Sequence, residues 1–225
     1  MGNPIENNIT AILNTVIKVV TNPVGFFQGM PKTGGFVEPL IFMVSMGVVA
    51  GIIRAILAIV GVGFAVSFSM AIASIIIVPI FAGIFGFVGA AILFIIWKIM
   101  GSQQSFETAY RCSAYSGGIV PITTVMGVIP FLGPVLGLIW MTYLLIVASV
   151  EVHNLNQKTA WIVFGAICAV FALTSTCSQF AARRVTNEMS KWENHMEQKE
   201  DMTPEEAGKA MGEFLKGLQE EVGKE

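Results

Sequence analysis

The chain has 225 residues, of which 54% are hydrophobic and only 12% charged, with a mean hydropathy of +0.72. That is about half the charge a soluble domain carries, so the apolar excess must face something other than water, and a soluble enzyme, a nucleic-acid binder and a disulfide scaffold are excluded. The net charge of −2 joins two unlike regions: residues 1–182 hold six Lys/Arg against four Asp/Glu, and residues 183–225 hold seven against eleven.

In chain order, Ile5, Ile9, Ile12, Val16, Val19 and Val20 fall at helical spacing and predict an amphipathic helix too short to span, lying on the bilayer interface. Thr21-Asn22-Pro23 ends it, because proline donates no backbone hydrogen bond and restricts the residue before it. Residues 30–35, Met-Pro-Lys-Thr-Gly-Gly, predict a turn. Residues 40–60 are long enough to cross a bilayer core of about 30 Å and carry one charge, Arg54. Residues 67–97 are uncharged and interrupted by Pro79, Gly83, Gly86 and Gly89. They predict one long helix, since a turn in lipid would leave backbone groups unpaired, with Lys98 reaching to the interface.

Ser105 is placed to cap a helix with Glu107 in its first turn. The span over 106–128 is the least hydrophobic, with Gly117-Gly118 and Pro121 in its middle, and should be kinked and buried in protein. A short turn at 129–134 makes the next span, 135–152, antiparallel to it. Asn156 caps a last span over 159–181. The tail continues at helical period through Val185, Met189, Trp192 and Met196, and Thr203-Pro204-Glu205-Glu206 predicts the start of a second tail helix with Met211, Phe214 and Leu218 on one face. Cys112, Cys168 and Cys177, odd in number and without C-x-x-C spacing, read as small buried hydrophobes. No cleavable signal sequence is expected at the N-terminus. The fold class is thus all-α: a polytopic helical transmembrane bundle of about five spans, with an N-terminal interfacial segment (1–36), a membrane domain (37–182) and an acidic helical tail (183–225).

Five spans would put Lys18, Lys32, Lys98, Arg111 and Lys158 on one side and leave the loops at 61–66 and 129–134 without charge. The positive-inside rule makes the basic side cytoplasmic; Arg183 and Arg184 then break the rule.

Several short motifs occur in order: Asn22-Pro23 to Phe26-Phe27, Met30-Pro31 and Gly34-Gly35 before the first span; Trp97-Lys98, Gly101 and Ser105-Phe106 before the third; Ala114-Tyr115 and Pro121 within it; Glu151-Val152-His153 and 158–160 before the last. Over residues 20–180 this pattern resembles the Yip1 family of five-span membrane proteins, especially its short bacterial members. The resemblance implies a multi-pass protein, in a bacterial inner membrane or, in a eukaryote, an endomembrane. It also implies a role in membrane organisation or partner recruitment. In eukaryotic members a cytosolic N-terminal region binds Rab-type GTPases and vesicle-shaping proteins; the corresponding region here is much shorter.

Two groups of residues are candidate sites. Arg54 costs roughly 2.5–3.5 kcal/mol to insert and needs partners; running the spans antiparallel puts Thr123, Thr124, Thr174 and Ser175 at similar depth. Arg54 reads first as a snorkelling or structurally satisfied arginine; as a functional cluster the group would take an anion or lipid headgroup, or line the path of a small-solute or ion transporter, the competing function. The second group is Glu107, Tyr110, Arg111 and Tyr115, read as a surface ion pair at i, i+4 or as a partner-recognition patch. No catalytic residue, cofactor or metal site is expected, since no carboxylate pair, nucleophile with base, or metal-ligand spacing occurs. The expected partners are the lipid bilayer, an unidentified protein and other copies of the chain, and not nucleic acid.

Overall fold

The computed structural model describes residues 4–61, 68–197, 208–209, 211–212 and 215–216. Eight α-helices are found among them: α1 (Pro4–Thr21), α2 (Pro23–Gly29), α3 (Val37–Ile59), α4 (Phe68–Ile99), α5 (Phe106–Ser116), α6 (Val120–Met126), α7 (Leu132–Glu151) and α8 (Gln157–Glu197), with a 3-10 turn at Gly117–Ile119. The chain divides into two units, Met1–Ser175 and Thr176–Glu225. Four helices are long and apolar enough to cross a membrane: Val37–Ile59, Ile72–Ile99, Leu132–Glu151 and Gln157–Val185.

Asn22-Pro23 both ends α1 and starts α2, a helix the sequence reading passes over. The Asn22 side chain accepts from the Gly25 amide at 3.0 Å, and Pro23 occupies the first helical position, where its missing N–H costs nothing. Residues 68–99 form one continuous helix, as expected, with Pro79 inside it. It runs antiparallel to α3. A Cβ at Gly47 would come within 2.8 Å of Pro79 Cα, and one at Gly51 within 2.8 Å of the Ser74 carbonyl oxygen. The glycines of α3 thus meet the backbone of α4; of those singled out on α4, Gly86 lies against the Met43 side chain and Gly83 against Val44 and Leu40, while Gly89 faces open space.

The segment expected as one span over 106–128 is broken into α5, the 3-10 turn and α6. Gly117-Gly118 weaken the helix there, and Pro121 cannot donate into a continuing ladder, so it sits in the first turn of a new helix. This segment still traverses the body. Trp97 Nε1 donates to Ser149 Oγ at 2.8 Å, which brings the C-terminal ends of α4 and α7 together. A 20-residue α7 is about 30 Å long, so its start lies at the far end, and residues 106–131 must cover that distance. Thr108, Ala109, Tyr110, Arg111, Cys112, Ala114, Tyr115 and Ser116 are buried, so α5 is enclosed by protein as expected, whereas α6 has no buried residue and that half of the traverse is not.

The apolar core joins Val19 of α1, Phe27 of α2, Phe42 and Met46 of α3, Trp97 of α4, Cys112 and Tyr115 of α5, Leu144 and Val147 of α7, and Ala160 and Phe164 of α8. Most of α4 and α8 lies outside it, with Ile76, Ile80, Ile84, Ile162, Phe171 and Leu173 exposed, as lipid-facing surface is. Cys112 is buried, but Cys168 is half-buried and Cys177 exposed, so burial describes one cysteine of the three. α8 continues from the last span to Glu197 without a break. The predicted helix start at 203–206 and the residues Phe214 and Leu218 lie outside the described residues.

Candidate functional site

The short motifs, scattered along the sequence, meet at one end of the body. Residues 30–36 pass over the start of α5 and are tied down by it. Arg111 Nε donates to the Pro31 carbonyl at 2.7 Å, Nη1 to the Gly35 carbonyl at 3.0 Å and Nη2 to Glu38 Oε2 at 3.0 Å. Glu107 Oε1 accepts from the Gly35 amide at 2.6 Å, and Thr108 Oγ1 donates to the Lys32 carbonyl at 3.0 Å. Gly34 and Gly35 have φ of 123° and 81°, a backbone region open to glycine and strained for other residues. Both faces of their peptide chain are thereby presented to the Glu107 and Arg111 side chains.

This geometry corrects the expected surface pair. Arg111 does not bond Glu107; it is 1% exposed and pairs with Glu38, whose side chain is 72% exposed. A buried guanidinium is tolerated here because all three of its nitrogens find acceptors. Tyr110 and Tyr115 are buried too. Tyr110 packs on Phe36 and Phe87 with its hydroxyl unpartnered, and Tyr115 packs on Phe26 and Phe42 beneath the Arg111 guanidinium, 5.8 Å from its ring. The four residues are brought together as an internal clasp. Glu38 escaped the sequence reading. It is the first acid on the chain after Glu6, and a cation inside a span requires one such partner.

A second polar knot adjoins the clasp. The His153 ring stacks on Trp97 with centroids 4.0 Å apart, and its Nδ1 is hydrogen-bonded to Ser102 Oγ at 2.7 Å. Ser102 is placed by the end of α4. Gly101, at φ 99°, lets the Ser102 amide donate back to the Trp97 carbonyl at 2.9 Å, a glycine-terminated helix cap. Ser102 Oγ also accepts from the Gln104 amide at 3.2 Å, which fixes the hydroxyl beside the histidine ring. Nε2 is buried and has no partner. Burial, with Lys32 and Lys98 adding their charge, pushes the His153 pKa down to about 4, so the ring is neutral at pH 7. Lys32 Nζ donates to the Val152 carbonyl at 3.2 Å, and Gln28 Nε2 donates to Glu151 Oε2 at 2.8 Å, tying residues 28–32 to the end of α7.

No described hydrogen bond joins Arg54, Thr123, Thr124 and Thr174 to one another. Arg54 is exposed on α3 and has no hydrogen-bond or ion-pair partner among the described residues. Thr123 and Thr124 both donate to the Val120 carbonyl, at 3.0 and 2.8 Å, and Thr174 donates to the Val170 carbonyl at 3.0 Å. α3 packs on α4, α5 and α6, and α8, which carries Thr174 and Ser175, is not among its main packing partners.

Neither a curated protein nor a solved structure matches the chain significantly. The family model for the Yip1 domain matches residues 17–177, a stretch that includes both knots and every helix that builds them. The chain belongs to the Yip1 family.

Proposed function

We propose that the chain is a non-enzymatic, membrane-organising protein that uses α1 as an interfacial helix held on a transmembrane body, in a bacterial inner membrane, and offers that end to a protein partner. The observation that carries this reading is the two-sidedness of α1. Ile12, Val16, Val19 and Val20 pack into the body, while Ile9, Leu13 and Ile17, one turn apart, remain more than half exposed. A helix with an apolar stripe facing away from the body it is fixed to can enter the headgroup region and displace lipid there. The polar groups of the motif end also support a structural role. They close residues 28–36 onto α5 and α7 instead of presenting a nucleophile or base.

Reconstitution tests this. Vesicles carrying the purified chain should change size or curvature with protein density by cryo-electron microscopy, and Ile9→Ser/Leu13→Ser/Ile17→Ser should insert normally but lose the effect. Remodelling by the triple variant equal to that of the native chain would sink the proposal. So would solute flux through the same vesicles that Arg54→Ala abolishes, the behaviour of a transporter.

A further inference from the structure

Lys32 and Lys98 frame the His153 knot, and neither forms an ion pair among the described residues. Lys32 gives one N–H to Val152, one residue before the histidine, and keeps two more for a ligand. Lys98 follows Trp97, on which the histidine ring is stacked, and its ammonium lies 5.4 Å from the Phe94 ring. The neutral imidazole between them holds its unpartnered Nε2. On the same helix as Lys98, Ile92 and Ile95 are exposed, so the cations stand at the head of an apolar surface.

We propose that this end of the body binds the phosphate-bearing headgroup of an anionic lipid: Lys32 and Lys98 supply the charge, His153 in its Nε2–H tautomer a hydrogen bond, and Ile92 and Ile95 the contact with an acyl chain. Free phosphate satisfies the same cations but has no use for the apolar surface beside them, which favours the lipid. Basic sites where spans meet the interface hold headgroups in this way. Glu151, half-buried and engaged by Gln28, is the carboxylate bordering the site, and the anion must lie away from it. The membrane-organising role requires no lipid selectivity, so this inference stands or falls separately from it.

The test is native mass spectrometry of the full chain in detergent with phosphatidylglycerol or phosphatidylcholine. The native chain should retain phosphatidylglycerol preferentially. Lys32→Ala and Lys98→Ala should each weaken retention about fivefold and together about thirtyfold, while Lys158→Ala, exposed at the start of α8, leaves it unchanged. In nanodiscs, phosphatidylglycerol should shift the 15N resonance of His153 Nε2. Lys98 is exposed and bonds no backbone group, so Lys98→Ala decides the matter alone if Lys32→Ala fails to fold. Native-like retention by Lys98→Ala, or an equal loss in Lys158→Ala, would overturn the site. Inorganic phosphate that displaces the lipid and reproduces the Nε2 shift would overturn the lipid assignment in favour of a free anion.

Discussion

Arg111 and Glu38 form one ion pair, but their substitutions should differ sharply in effect. Removing the guanidinium strands the Pro31 and Gly35 carbonyls and leaves a cavity, so Arg111→Ala should cost about 2–4 kcal/mol. Arg111→Lys should recover little, because an ammonium cannot reach three acceptors in the fork geometry. Glu38 is mostly exposed, and Glu38→Gln should cost under about 1 kcal/mol. Denaturation of the detergent-solubilised variants orders the three. His153 makes a pH prediction whose sign follows from its lowered pKa. The unfolded ring, near 6.5, binds protons before the folded ring, near 4. Its contribution to stability is therefore complete above pH 6.5 and lost as the pH falls toward 4, by up to about 1.4 kcal/mol per pH unit. His153→Gln should flatten that part of the stability profile; an unaltered profile would show that the ring titrates normally. At this level the residue types were legible and their pairing was not. Spacing put Glu107 four residues before Arg111, yet the loop at 30–36 competes for both side chains, and its carbonyls win the guanidinium because Arg111 is buried beneath them and has no water to turn to.

Among the elements, the α3–α4 hairpin gives a contrast within one residue type. Gly51→Ala drives a methyl group onto the Ser74 carbonyl and should destabilise by about 1–3 kcal/mol through forced backbone displacement. Gly89→Ala, in open space within α4, should stabilise by about 0.5–1 kcal/mol, because it removes the backbone freedom of glycine in the unfolded chain. Thermal unfolding of both variants distinguishes close packing from mere glycine content. Helix existence is readable wherever an apolar run exceeds about 20 residues, and α4 is one helix, as its uncharged run predicts, despite Pro79. The short elements were harder. α2 is seven residues long and has no periodicity to read, and the break at Gly117–Ile119 needed knowledge that the surrounding helices would pack against two glycines and supply the missing contacts. Phe42 lies 3.2 Å from where a Cβ on Gly118 would stand.

For the whole molecule, the motif end and the turn at 127–131 lie at opposite ends of the body, a helix length apart. In a background lacking the exposed Cys177 thiol, cysteines placed at Thr33, Gln103 and Asn154 should react with an impermeant maleimide from one face of the membrane, and a cysteine at Pro130 from the other. Labelling of all four from one face would refute the five-traverse topology. The sequence by itself determined that the chain lives in a bilayer, that it is helical and which family it belongs to. Those properties depend on composition, run length and the order of short motifs, all of which are local. Tertiary structure alone decided what the motifs are for at the level of atoms: residues 22–36, 97–111 and 149–153 close on one another to bury an arginine and a neutral histidine. That outcome depends on which polar groups reach each other once water is excluded, and groups separated by 51 to 123 positions in the chain have no spacing from which it could be read.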